Sequence, residues 1–148
     1  MSQDIMVRLM KEEDIDKLVV IEEECFSLPW SKNAFEESFS KDYAYFFVAE
    51  IDKEIAGYIG LYKIGSEGDI TNIAVSSTYR RKGIGYKLIE AVLDFAKHHK
   101  MNTITLEVRE SNIPAIGLYE RCGFTNIGIR KNFYEKPVEN AIIYQYIF

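Results

Sequence analysis

Asp69-Ile70-Thr71-Asn72-Ile73-Ala74-Val75 runs straight into Ser76-Ser77-Thr78-Tyr79-Arg80-Arg81-Lys82-Gly83-Ile84-Gly85, and this junction decides the fold. Ile70, Ile73, Ala74 and Val75 suit a buried strand, and from Tyr86 onward Leu88, Ile89, Val92, Leu93 and Ala96 recur at helical spacing. Between them lies a basic turn in which Gly83 and Gly85 allow close approach of backbone to a ligand. The N-terminus of a helix carries unpaired N–H groups and partial positive charge, so a strand–turn–helix of this kind can cradle phosphate. A dinucleotide fingerprint would need a third glycine, but Tyr86, Lys87 and Leu88 follow Gly85. A P-loop would need Gly-Lys-Ser/Thr at the helix start, which is missing. An ordinary surface turn with solvated charges at Arg81 and Lys82 remains compatible with these residues alone.

The pattern Arg80-x-x-Gly83-x-Gly85 after a strand resembles the acetyl-coenzyme A loop of the GCN5-related N-acetyltransferases (GNAT). The resemblance implies acetyl-CoA as acetyl donor, with its pyrophosphate on the amides of Arg80, Arg81, Lys82, Gly83, Ile84, Gly85 and Tyr86. Its pantetheine arm is expected to run beside Ile73, Ala74 and Val75 like an added strand.

Working outward, the elements read as strands first and then strands alternating with helices, an α+β pattern. Strands are expected over Met6–Leu9, Tyr43–Ile51, Ile55–Ile64, Glu67–Val75, Thr103–Val108, Phe124–Arg130 and Ala141–Ile147. Helices are expected over Glu12–Phe26, from Ser31 through Phe39, over Gly83–His99 and over Asn112–Cys122. In the first helix Ile15, Leu18, Val19 and Ile21 lie on or near one face. In the second, Ser31 is the N-cap and Phe35 and Phe39 share a side. Asp52-Lys53-Glu54 is the turn of a hairpin. The expected fold is a GNAT-like, mixed, mainly antiparallel sheet of about seven strands flanked by about four helices. Pro114 and Gly117 suggest a short or irregular fourth helix, and 131–140 has no readable conformation.

At 148 residues, 47% apolar and 28% charged, the chain suits one domain spanning 1–148. The net charge of −5 disfavours a nucleic-acid-binding body and suits a cationic substrate, so the basic turn reads as a local anion site. Cys25 and Cys122 form no disulfide framework and read as buried structural thiols. His98 and His99 have no metal-ligand spacing, and no metal is expected. No apolar run reaches membrane-spanning length, and a cytoplasmic protein without a membrane partner is expected.

A second constellation follows the cofactor helix: Leu106-Glu107-Val108-Arg109-x-Ser111-Asn112-x-x-Ala115-x-x-Leu118-Tyr119-x-x-x-Gly123-Phe124. With Pro29-Trp30-Ser31 and Arg130-x-Asn132-x-Tyr134, it resembles the ribosomal-protein-alanine N-acetyltransferase subgroup over nearly the whole chain. That subgroup acetylates the N-terminal amine of a small-subunit ribosomal protein, which is the partner implied. Residue by residue, the resemblance implies Glu107 as general base, Tyr119 as general acid toward the leaving thiolate, and Asn112 beside the pantetheine. Trp30, Glu107 and Tyr134 are implied on the substrate side.

The chemistry accounts for these residue types. A free α-amine has a pKa near 7.7–8.0 against about 10.4 for lysine, so about a quarter of N-termini are already neutral but only about a thousandth of lysines. One carboxylate, acting directly or through water, is then base enough. On the same resemblance, strand N–H groups around Ile73 to Val75 could stabilise the carbonyl oxygen. Taken singly, Glu107 could be a solvated strand residue paired with Arg109, Tyr119 a core tyrosine, and Trp30 a packing residue. Glu24, Glu36 and Glu37 could favour a basic peptide or form a solvated face. Rival readings are the same chemistry on lysine, a polyamine or a small amine, and a non-catalytic acyl-CoA-binding regulatory module.

Overall fold

The computed structural model describes residues 4–148. Strand β1 (Met6–Leu9) leads through a 3-10 turn (Glu12–Asp14) into α1 (Ile15–Cys25) and α2 (Lys32–Phe39). Then come β2 (Ala44–Ile51), β3 (Glu54–Ile64), β4 (Glu67–Val75), α3 (Ile84–His98), β5 (Thr103–Arg109), α4 (Ile113–Arg121), β6 (Thr125–Tyr134) and β7 (Glu139–Ile147). The sheet order is β1-β2-β3-β4-β5-β7-β6, and every pairing is antiparallel except β4–β5. The expected mixed, mainly antiparallel α+β sheet is therefore present. Among the described residues no helix is long and apolar enough to cross a membrane.

Strand alternation divides the interior into two cores, one on each face of the sheet. Phe47, Ala49, Ile51, Ile59 and Leu61 meet Ile84, Leu88, Ile89, Val92 and Ala96 of α3 on one face. On the other, Phe46, Val48 and Tyr58 meet Ile15, Leu18, Ile21 and Phe35 of α1 and α2. Ser31 caps α2 as expected, its Oγ accepting from Ala34 N–H at 3.1 Å. Phe39, however, is exposed, and Ser38 takes the buried position beside Phe35.

The first hairpin is tighter than expected. Asp52 and Lys53 both have positive φ, 51° and 67°, forming a two-residue turn with Glu54 already paired to Ile51 in the ladder. The unreadable 131–140 stretch is also a hairpin: β6 runs on to Tyr134, which pairs with Glu139. Burial there is low on both sides of β6, so no clean alternation marks it.

The fourth helix is short, nine residues, as Pro114 and Gly117 suggest, but it is regular. Asn112 is its N-cap, accepting from Ala115 N–H at 3.3 Å, so Pro114 falls in the first turn, where its missing N–H costs no helical bond. At the other end Gly123 has φ +97°, Gly123 N–H donates to Glu120 C=O and Phe124 N–H to Tyr119 C=O. This is a Schellman closure, and Phe124 packs on Tyr119 with ring centroids 6.1 Å apart. Both ends of the helix that carries Tyr119 are thus fixed.

Candidate active site

A cleft opens where the parallel pair comes apart. Strands β4 and β5 are in register for only three pairs, Glu67↔Thr103, Gly68↔Ile104 and Asp69↔Thr105. Beyond them β4 stays paired to β3 as far as Val75, and β5 to β7 as far as Arg109. Each strand therefore turns an edge without a strand partner toward the gap. A bulge at Thr71, between Leu61↔Ile70 and Gly60↔Asn72, marks the divergence. Gly60 makes room for it: a Cβ there would come within 2.5 Å of Thr71 Oγ1 and 2.7 Å of Asn72 Oδ1.

The cleft has a volume of about 430 Å³ and brings Glu107, Asn112 and Tyr119 together with Ile73, Trp30 and Tyr134. Residues of four separate sequence segments thus converge on one cavity. Tyr119 is 4% exposed, and burial pushes its hydroxyl well above a tyrosine's ordinary range. Its proton is therefore held across the neutral range. Glu107 is half-buried on β5, with Oε1 3.4 Å from Arg130 Nε of β6. The alternative pairing of Glu107 with Arg109 does not occur, because Arg109 turns to the β6–β7 hairpin instead.

That arginine is a site residue the sequence reading missed. Arg109 donates to Glu135 C=O at 2.8 Å and Pro137 C=O at 2.9 Å, and pairs with Glu139 Oε1 at 3.1 Å. Its guanidinium lies 4.5 Å from the centroid of the Tyr134 ring. Glu139 in turn accepts from Ser111 N–H at 2.7 Å, and this bond, with Arg109, holds its carboxyl below the usual range. The clamp sets Tyr134 over the cleft, where burial first and the Glu107 carboxylate second push its hydroxyl up to about 12. A conjunction of Arg109 with Glu139 was not recoverable from spacing, since 30 residues separate them.

The phosphate turn divides its expected roles. Gly83 is the N-cap of α3 with φ +80°, and open space lies where its Cβ would be. No side chain caps this helix, so its first amides face outward unclaimed by a cap. Arg81 has φ +63°, which with Gly83 curls the turn. Gly85 is closely packed: its Cβ would lie 2.9 Å from Leu118 Cδ2 of α4. Ile84 is buried in the core and Tyr86 lines a separate groove at the far side of α3, so only their backbone can serve the turn. Ala74 faces the α1–α2 core, while Ile73 and Val75 are half-buried toward α3.

Arg80 folds back, its Nε donating to Val75 C=O at 3.3 Å and Nη2 lying 3.4 Å from Cys25 Sγ. Both cysteines pack against the core, but neither is fully buried as expected. Cys25 is half-buried and lines the cleft, because α1 ends above β4. Cys122 is half-buried as well, its thiol pushed up by burial. Glu24 accepts from Ser77 N–H at 3.2 Å, so it anchors the strand–turn junction rather than standing free for a peptide. Trp30 does both things expected of it as alternatives: it packs on Phe35 at 5.2 Å and lines the cleft.

An unladdered strand edge leading to an uncapped helix start, with an open left-handed glycine between, fits an extended arm that runs into a pyrophosphate. The pantetheine arm and pyrophosphate of acetyl-CoA have that shape. The chain is similar to known proteins in the same sense. An Escherichia coli [ribosomal protein bS18]-alanine N-acetyltransferase is 34% identical over 132 residues, 88% of each chain. A Bacillus subtilis protein that carries this name provisionally is 40% identical over 138 residues, 93% of this chain and 91% of its own. The crystal structure of the Escherichia coli ribosomal-protein-alanine enzyme superposes with a TM-score of 0.91 at 29% identity, covering 97% of this chain and 94% of that one. The family model described as Acetyltransferase (GNAT) family matches residues 15–124, from the first residue of α1 to the Schellman phenylalanine. This chain belongs to the GNAT acetyltransferase family.

Proposed function

We propose that the chain, as one acetyltransferase domain over 1–148, acetylates the N-terminal alanine of ribosomal protein bS18 in the cytoplasm, without a metal. The observation that carries this reading is the convergence of Glu107, Asn112, Tyr119 and Tyr134 on the cleft between β4 and β5. The names of the similar bacterial proteins favour the same substrate.

When bound, acetyl-CoA supplies an acetyl group activated as a thioester. Glu107 accepts the proton that the α-amine must lose, directly or through one water. Arg130 Nε of β6 lies 3.4 Å from Glu107 Oε1 and steadies the side chain on the cleft side of β5. Tyr119 keeps its hydroxyl hydrogen, held there by burial, for the sulfur that leaves. The β4 edge around Ile73 to Val75 offers backbone N–H groups to the carbonyl oxygen. Asn112 holds the start of α4 and so the height of Tyr119 in the cleft. Direct transfer needs no enzyme nucleophile, and neither cysteine is asked to act. Trp30 and Tyr134 flank the amine side, and the net charge of −5 suits a basic partner.

Incubation with acetyl-CoA and short peptides differing at residue one, read by mass spectrometry, tests the reading. Acetylation of the α-amine of Ala-initial peptides is expected. Modification of lysine side chains alone would overturn it.

A further inference from the structure

Glu22 is a buried acid for which acyl transfer has no use. It sits near the end of α1 with 2% of its surface exposed. Tyr58 of β3 donates its hydroxyl to Glu22 Oε1, and Trp30 donates its backbone N–H to Oε2 at 2.9 Å. Tyr58 accepts in turn from Asn72 Nδ2 at 3.1 Å, and Asn72 Oδ1 accepts from Thr71 Oγ1 at 2.7 Å. One carboxylate thus ties together α1, the α1–α2 connection, the centre of the sheet and the bulge of β4. Glu22, Trp30, Thr71 and Asn72 all line the cleft. Burying a carboxylate is costly, and the cost is offset only where its oxygens are bonded. A leucine here would fill the core of α1 more cheaply, but it would leave Trp30 N–H and Tyr58 O–H without acceptors.

Resting on the α-amine reading above for the identity of the ligand, we propose that Glu22 is a positioning residue for the incoming peptide. Its carboxylate holds the Phe26 to Trp30 wall against the bulged part of β4 and so sets the width of the groove beside the accepting amine. The opposite wall is held separately, by Arg109 and Glu139. The two walls are therefore adjusted by different residues, and loss of Glu22 acts on peptide binding before it acts on acetyl-CoA.

Glu22→Gln tests this with two readouts. An amide can accept only at its oxygen, so one of the two donors faces an N–H₂ and loses its bond. Expected are a rise in KM for an Ala-initial peptide of about tenfold, with kcat and the KM for acetyl-CoA within about twofold. Trp30 is the single tryptophan, so its fluorescence reports the wall directly. Acrylamide quenching of that fluorescence is expected to increase in the variant. A role in stability alone would lower the active fraction, and hence kcat, and leave both KM values alone. Tyr58→Phe, which keeps the ring and removes one donor, is expected to move peptide KM and quenching in the same direction by less. Unchanged peptide KM and unchanged quenching in a folded Glu22→Gln would overturn the proposal, as would equal rises in both KM values. If the unaltered protein acetylates no α-amine, the functional reading fails instead, and the quenching comparison still decides the role of Glu22.

Discussion

Replacing Gly83 and Gly85 by alanine, one at a time, separates the backbone that faces ligand from the backbone that packs. At Gly83 an added Cβ meets nothing within 4 Å, so the whole effect of Gly83→Ala comes from φ +80°. A left-handed alanine costs about 1–2 kcal/mol. For a chain of this size that is a fall in Tm of about 3–6 °C. The turn can shed part of this strain only by rotating the amides at the start of α3. If one amide that bonds a charged phosphate is lost, about 1.5–3 kcal/mol goes with it, and the KM for acetyl-CoA rises about ten- to a hundredfold. Gly85 behaves differently. It lies inside α3, where alanine gains about 1 kcal/mol of helix propensity. Against that gain stands a Cβ 2.9 Å from Leu118 Cδ2, the far end of a flexible side chain, a repacking cost of about the same size. Tm is expected to shift by less than about 3 °C. The KM for acetyl-CoA should stay within about threefold, while kcat falls because Leu118 precedes Tyr119. Thermal melting and steady-state kinetics with acetyl-CoA varied read all four numbers. If Gly85→Ala raised the KM for acetyl-CoA more than Gly83→Ala did, the division of labour drawn from the geometry would be refuted.

Two further outcomes concern the site and a third the Arg8–Asp14 pair. Because burial keeps the Tyr119 proton in place, the rate should climb through the α-amine titration near pH 7.7–8.0 and stay level past pH 10; a falling limb near pH 9–10 that disappears in Tyr119→Phe would contradict this. Arg109→Met removes the donors to Glu135 and Pro137, so amides between 132 and 139 should exchange at least about tenfold faster and peptide KM should rise with acetyl-CoA KM unchanged. Unaltered exchange there would show that the hairpin does not need the clamp. Far from the site, burial raises the Asp14 carboxyl, but the Arg8 guanidinium and Lys11 N–H outweigh it and the net shift is downward. A depressed folded pKa means that its stabilisation is complete above the unfolded value near 3.9 and is lost as pH falls through the folded one. Asp14→Asn should therefore be less stable than the unaltered chain at pH 7, by about 1–3 kcal/mol, and the deficit should shrink as pH falls below about 3.9; a deficit that stays constant as the pH is lowered in urea titrations would count against the ion pair.

The legible parts of this protein are those whose physics is local in sequence. The apolar runs along 44–51 and 54–64, the α3 stripe and the Ser31 cap each depend on neighbours a few residues apart, and they appear where the pattern puts them. Glu107, Asn112 and Tyr119 were legible only through a family resemblance, though all three do line one cleft. The unreadable parts depend on distant partners. Glu22 looks like any helix carboxylate until Tyr58, 36 positions away, is seen to reach it. Arg109 looks like the neighbour of Glu107, and nothing in the sequence says that a turn 26 residues on will claim it. Gly83 and Gly85 are alike in the string, and only the approach of α4 to the second tells them apart. Pro114 and Gly117 go with a short α4, and its regularity depends on the Asn112 cap and the Gly123 closure that define its ends.

The cleft exists because the sheet is made to fail at one place. Parallel pairing between β4 and β5 stops after Asp69↔Thr105, and two residues later the bulge at Thr71 turns β4 away. A bulge adds local twist to its strand, so β4 follows β3 while β5 follows β7, and the two halves of the sheet diverge. Such a gap would close on itself if its walls were free to pack. On one side, Glu22 holds Trp30 off the sheet centre; on the other, Arg109 and Glu139 hold the β6–β7 hairpin. Gly60 lets the bulge seat at all, since any larger residue would strike Thr71 and Asn72. The residues nearest the chemistry then need few devices of their own: Glu107 and Tyr119 sit on a strand end and a doubly capped helix whose separation is already set by the divergence. This arrangement predicts an order of sensitivity. Gly60→Val, touching neither ligand nor Glu107 nor Tyr119, should cost more activity than Arg130→Met beside the base, because it removes the opening rather than adjusting one charge. Comparing kcat/KM of the two folded variants measures that order, and the reverse ranking would mean that the cleft does not depend on the bulge.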